Sequence, residues 1–212
     1  MERILPILCL CLSLTVYAGD RRGYIPQAGD LLFEVAADSP MSAAVAAATA
    51  QGDSLKFSHV AIVGVEADSV FVIEATGRGG VMVSDLDCFL DSATAVSGRP
   101  GVVVKRLASH FPAAEAVARA VSHIGAPYDW TFLPGNGAYY CSELVYECFL
   151  DASSGHIFPA QPMNFLDDCG RMPQFWTELF ERLGMDVPQG VPGTNPNDMS
   201  KYPALREVYR FF

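Results

Sequence analysis

Two apolar, β-branched runs stand four residues apart: His59-Val-Ala-Ile-Val-Gly-Val65 and Val70-Phe-Val-Ile-Glu-Ala-Thr76. Between them lies Glu66-Ala-Asp-Ser69, which is turn material. Such a pair reads as an antiparallel β-hairpin with a tight connection. Partners in an antiparallel pair have a constant sum of residue numbers, so Val65 faces Val70, Ala61 faces Glu74 and His59 faces Thr76. His59 and Glu74 then share one face of the sheet as diagonal neighbours, roughly 7–8 Å apart at the backbone. A slip of one residue would separate them. An imidazole and a carboxylate on an otherwise apolar sheet are costly unless they pair, and pairing orients the ring and favours its charged form.

The remaining elements follow the same logic. Ala28-Gly-Asp-Leu-Leu-Phe-Glu-Val35 reads as a turn and a first strand. Ser39-Pro40 opens an alanine-rich helix to Ala50, with Gly52 beyond it. Strands follow at Val81 and at Val102–Leu107, with a Gly98-Arg-Pro-Gly loop before the latter. Helices are expected from Pro112 to Ile124, from Cys141 to Leu150 and from Gln174 to Leu183. The stretch from Pro188 to Tyr202, rich in Pro, Gly and Asn, reads as an ordered surface tail or a linker. Strands first and helices afterwards argue for an α+β fold, an antiparallel sheet packed against helices. With 212 residues, half of them hydrophobic, the chain can bury one sizeable core.

Charge removes two function classes. The net charge is −10, which suits neither nucleic acid nor an anionic membrane surface. The N-terminus sets the compartment. Residues 4–16 are an apolar run interrupted by Pro6, Ser13 and Thr15, and Val16-Tyr-Ala18 has small residues at signal-peptidase spacing. We therefore expect residues 1–18 to be a signal peptide and residues 19–212 to be one domain with a Pro/Gly-rich C-terminal extension. The product would be secreted or periplasmic, monomeric and without an integral membrane segment. Cys9 and Cys11 would leave with the signal, and Cys88, Cys141, Cys148 and Cys169 would remain.

Cys141 has the setting of a nucleophile. It follows a glycine-rich loop and starts a helix, where backbone N–H groups and the helix dipole favour a thiolate. Cys148 lies about two turns on, roughly 10 Å away, too far for the two to bridge. A thiol, an imidazole and an orienting acid form a nucleophile–base pair with its support. There is no CxxC, HExxH or GxSxG and no phosphate-cradling glycine loop, so neither a metal nor another cofactor is expected. His110, His123 and His156 lack a comparable setting.

Several short motifs, in order, resemble one family. Gly29-Asp-Leu-Leu-Phe, Ser58-His-Val-Ala-Ile-Val, Val72-Ile-Glu-Ala, Pro127-Tyr-Asp and Tyr140-Cys-Ser-Glu-Leu-Val are similar to the YiiX-like proteins. These form a circularly permuted branch of the NlpC-type papain-like superfamily, in which the His-bearing strand precedes the Cys-bearing helix. The resemblance implies a permuted papain-like fold, with Cys141 as nucleophile, His59 as base and Glu74 as the orienting residue. Tyr128 and Tyr140 are the expected substrate-binding residues. Two chemistries then compete. One is cleavage of an amide in a small peptide or cell-wall fragment. The other is lipid-directed acyl transfer or ester hydrolysis, in which the alanine-rich helix with Phe57, Tyr128, Trp130 and Phe132 would line an acyl pocket. A third possibility is a non-catalytic binding module. Charged groups in the pocket would favour a peptide, and an apolar lining would favour an acyl chain.

Overall fold

The structure, a computed structural model, describes residues 23–212 apart from Gln51, Asp68, Ser109 and His110. The expected signal peptide, Cys9, Cys11 and His110 lie outside the described residues. The elements are β1 (Leu31–Val35), α1 (Pro40–Thr49), β2 (Phe57–Glu66), β3 (Ser69–Thr76), β4 (Gly80–Asp85), α2 (Leu86–Ser92), β5 (Ala95–Val96), β6 (Arg99–Pro100), β7 (Val102–Leu107), α3 (Ala113–Ser122), α4 (Cys141–Cys148), β8 (Gln161–Pro162), α5 (Gln174–Leu183), β9 (Pro192–Gly193), α6 (Pro196–Ser200) and β10 (Leu205–Arg210). Among the described residues the main sheet has six strands in the order β10-β7-β1-β2-β3-β4, and every pair is antiparallel. The α+β expectation therefore holds. No helix among the described residues is long and apolar enough to cross a membrane.

The strands are apolar nearly throughout because both sheet faces are covered. Leu31, Phe33, Val60, Ile62, Ile73 and Val103 belong to the larger core, which also takes residues from α1, α3, α4 and α5. The alternate positions Leu32, Ala61, Val63, Val72, Val102 and Val104 belong to a smaller core beneath α2. Burying a side chain such as Ile62 or Leu32 is worth about 1.5–3 kcal/mol each, so a polar residue on either face of these strands would be costly.

The hairpin register is the one expected. Val65 pairs with Val70, Val63 with Val72 and Ile62 with Ile73. The ladder closes one pair further, at Glu66–Ser69. Ala67 turns the chain at φ 50°, in the left-handed region.

Three features differ from expectation. α2 was not anticipated: it spans only seven residues and Asp85 makes no side-chain cap bond, so it lacks both a long period and a start signal. The Gly98 loop is the turn of a small hairpin, β5–β6. The C-terminal stretch is neither a tail nor a linker. It contains β9 and α6 and leads into β10, an edge of the main sheet. Asn197, 1% exposed, accepts from the Phe57 N–H at 2.8 Å and donates to the Phe57 carbonyl at 2.7 Å and to Thr49 Oγ1 at 2.8 Å. One amide thus clamps the end of α1 and the start of β2, two residues before His59.

Two further devices fix the frame. Asp30 is fully buried, and its carboxylate accepts from the Tyr24 hydroxyl, the Gln27 N–H and the fork of Arg106. Gly80, at φ 64°, lets β4 approach the segment before the active-site loop. A Cβ there would lie 2.1 Å from the Ala126 carbonyl oxygen, the atom to which Val81 N–H donates at 2.8 Å.

Candidate active site

α4 begins at Cys141, so this residue's N–H is among the first of the helix and has no acceptor within it. Leu144, Val145 and Cys148 bury the inner face of α4 in the larger core and fix the helix on the sheet. At its start, Glu143 reaches back to accept from the Tyr140 N–H at 3.3 Å. The preceding loop is organised by Asp129, 1% exposed, which accepts from the Thr131 N–H and hydroxyl and from the Leu133 N–H. Phe132 is held at φ 54°, a conformation unusual for a bulky side chain. Its ring is locked among Tyr140, Phe165 and Trp176.

His59 and Glu74 meet directly, with Nε2 2.8 Å from Oε2. The Ser84 hydroxyl, one strand further, donates to Glu74 Oε1 at 3.3 Å. The β2–β3 ladder stops at Ile62–Ile73. Beyond it β2 continues with β1, and β3 with β4. His59 and Glu74 lie past this fork, where backbone bonds no longer tie their strands. α4 packs on the same two strands, and Cys141 at its head lies close enough to the His59 ring to act on its charge. The three residues singled out in the sequence are therefore brought together. Among the described residues none of the four cysteines forms a disulfide.

Burial of the His59 ring opposes its charged form. The hydrogen bonds and negative charges of Cys141 and Glu74 outweigh that cost and hold its pKa well above the usual imidazole range. A second carboxyl lies beside it. Glu34 of β1 is the direct cross-strand partner of His59 and accepts from the Thr94 N–H at 3.2 Å. Burial raises the Glu34 pKa, the neighbouring His59 pulls it back, and Glu74 adds to the rise. Burial also holds the Tyr128 phenol well above its ordinary value, with the charges of Cys141 and Asp129 adding to it. Glu143 is pushed up to about 8 by burial and by Asp129.

A cavity of about 50 Å³ opens beside Cys141. Tyr128, Tyr140 and Phe132 all line it. The alanine-rich α1 supplies Met41, Val45 and Ala48. Among the described residues that line it there is no Asp, Glu, Lys or Arg. Two expected pocket residues lie elsewhere: Phe57 packs on Phe33 in the core, and Trp130 packs on Tyr128 and covers Gly77. His123 packs at a tilt against Tyr139 and His156 stacks on Tyr146, and neither lines the cleft. Sequence reasoning missed Glu34, Ser84 and Trp176. Ser84 and Glu34 are each one strand from the hairpin, and Glu34 could have been found had the β1–β2 register been readable. Trp176 had only its place on an amphipathic helix.

Residues 25–209 match the family of permuted papain-like amidase enzymes, the YaeF/YiiX, C92 family. The chain is 26% identical to the protein YiiX of Escherichia coli strain K12, over 98% of this chain and 96% of that one. Its fold is similar to that of a crystal structure called metalloprotein yiiX, from Escherichia coli O157:H7. That likeness has a TM-score of 0.71 at 24% identity and covers 89% of this chain and 99% of that one. In this chain, among the described residues, Asp167, Asp168 and Cys169 bring possible metal-ligating atoms close together. The Asp167 carboxylate already accepts from Arg171 Nε and from the N–H groups of Cys169 and Arg171. A carboxylate engaged by a guanidinium suits a loop clasp rather than a cation site.

Proposed function

The chain belongs to the permuted papain-like amidase family, and from that premise we propose that it is an exported cysteine hydrolase working through Cys141, His59 and Glu74. The observation that carries the reading is the meeting of Cys141, His59 and Glu74 at the head of α4, with His59 Nε2 2.8 Å from Glu74 Oε2 and Cys141 acting on the same ring, beside the cleft that Cys141 lines.

In this mechanism the resting pair is a Cys141 thiolate beside a His59 imidazolium. The thiolate attacks the carbonyl carbon of the substrate amide, forming a C–S bond while the carbonyl electrons move to oxygen. The Cys141 N–H donates to that oxyanion, and the protonated Tyr128 phenol is a second donor at the cleft wall. When the tetrahedral species collapses, the C–N bond breaks and His59 gives its proton to the departing amine. A thioester and a neutral imidazole remain. His59 then takes a proton from water as that water attacks the thioester, and the thiolate leaves to restore the pair. Glu74, steadied by Ser84, keeps the ring oriented and supports its charge throughout. Tyr140 contributes a wall, since its hydroxyl already accepts from the Thr194 N–H at 3.1 Å.

For the substrate we propose an amide of a small peptide or cell-wall fragment whose acyl side is uncharged. A second reading, lipid-directed acyl transfer or ester hydrolysis by the same triad, is favoured by one observation: α1 and the aromatic residues form an uncharged, mainly apolar wall next to the nucleophile. The two are separated by assaying short neutral peptide amides and long-chain lipid esters side by side with wild type and Cys141→Ala. The amidase reading requires amine release from the peptides that is lost in the variant. Turnover confined to the lipids would favour the second reading. Turnover unchanged in Cys141→Ala would overturn both.

A further inference from the structure

The cleft beside Cys141 is not uniformly satisfied. Several polar side chains on its wall have their hydrogen bonds committed within the protein. Thr49 Oγ1 donates to the Val45 carbonyl and accepts from Asn197. The Asn164 amide donates to the carbonyls of Ala48 and Leu166 and accepts from the Leu166 N–H and from Gln189. Asn195 is spent on Asp198 as the cap of α6. Three buried polar atoms on lining residues have no partner: Trp176 Nε1, Ser142 Oγ and Thr194 Oγ1.

Trp176 is the informative one. It is 2% exposed, and its ring packs edge-on against Phe132 at 5.4 Å and Phe165 at 5.1 Å. An indole N–H can only donate. Leaving it buried and unpaired forfeits its hydration with no bond in return. Its aromatic neighbours offer no oxygen, and the cleft is the open space its ring borders.

We propose that Trp176 is a specificity-determining residue: the cleft takes an acyl group that is apolar along its length but carries one neutral oxygen acceptor, a carbonyl or hydroxyl, which binds the Trp176 N–H. The hydroxyls of Thr194 and Ser142 give the same oxygen, or the water beside it, further partners. This rests on the reading of the cleft as the acyl-binding site of a Cys141 hydrolase and names the chemistry that site selects. Two sources supply such an oxygen. One is the carbonyl of an N-acylated amino acid, and the other is an oxygenated fatty acyl chain.

The test measures binding, so it does not depend on turnover. Cys141→Ala protein is titrated with octanamide, with oxo-octanamides whose ketone is stepped along the chain, and with N-acetyl-leucinamide against its all-carbon analogue lacking the acetyl oxygen. At least one acceptor-bearing ligand should bind about five- to tenfold tighter than its plain counterpart. Adding Trp176→Phe should erase that advantage while leaving the plain amides unchanged. In the protein without that change, the Trp176 indole N–H resonance should move downfield on binding, and Trp130→Phe assigns it, since the chain has two tryptophans. An advantage confined to N-acetyl-leucinamide assigns the peptide source, and one confined to an oxo-amide the fatty source. The proposal is overturned if no acceptor gains affinity, if the gain survives Trp176→Phe, or if the indole resonance stays still. Acyl-enzyme formation by the wild type is read separately. Its failure with the acceptor preference intact would count against the triad and not against Trp176.

Discussion

His59 sits between two carboxyls from neighbouring strands, and Cys141 and Glu74 favour its charged form. Glu74 bonds the ring, and Glu34 faces it across β1. The folded-state pKa of His59 is raised. The sign follows from linkage: this contribution to stability is fully present below pH ~6.5 and is lost as pH rises through the folded value. The same proton bounds the thiolate–imidazolium pair from above. Glu74→Gln should therefore move the alkaline limb of the pH profile of kcat/KM to lower pH, and Glu34→Gln should move it the same way by less. A limb that stays in place in Glu74→Gln would remove Glu74 from its supporting role. The His59–Glu74 pair was legible because a hairpin carries its own register. Glu34 was not, because α1 and its loops separate β1 from β2, and sequence spacing fixes no register across such a connection.

At the scale of elements, α4 presents Cys141, the proposed nucleophile, and carries a carboxyl buried in its first turn. Glu143 holds its proton up to about pH 8 because of burial and the neighbouring Asp129. Its folded pKa exceeds the unfolded one, so the chain loses stability as pH rises from about 4.5 to about 8. Glu143→Gln removes that slope. Its Tm relative to wild type should rise between pH 5 and pH 9, and a parallel displacement at all pH values would contradict the assignment. The clasp by α6 makes a second element-scale prediction. Asn197→Ala deletes three hydrogen bonds at the junction of α1 and β2 and leaves buried Phe57 backbone groups unpaired, so a loss of about 2–4 kcal/mol is expected in urea unfolding. Activity should fall too, because the strand that carries His59 starts there. Helix α5 was foreseen at its observed bounds because its period and its Gly184 stop are local. β10 was missed because an edge strand with alternating polar residues resembles a polar tail until its partner β7 is known.

At the scale of the whole molecule, the sheet is a platform whose two strand ends part at one place, and the loop before α4 closes over that fork. The larger core ties α1, α3, α4 and α5 to the sheet, so Cys141, His59 and Glu74 are set by packing across most of the chain rather than by one motif. The compartment rests on the first eighteen residues. Protein recovered from the secreted or periplasmic fraction should begin near Gly19, and N-terminal sequencing that still finds Met1 would overturn export. The central claim is that Cys141 carries the acyl group and depends on His59 to do so. Two of the other thiols are poorer rivals: burial pushes Cys148 up to about 12, and Asp168 raises Cys169. The direct measurement is peptide mapping of protein quenched during turnover of an acyl substrate, in wild type and His59→Ala. The account predicts a thioester on the Cys141 peptide of the wild type and little or none in His59→Ala. Acyl groups on another residue, or equal labelling of Cys141 in both proteins, would contradict it.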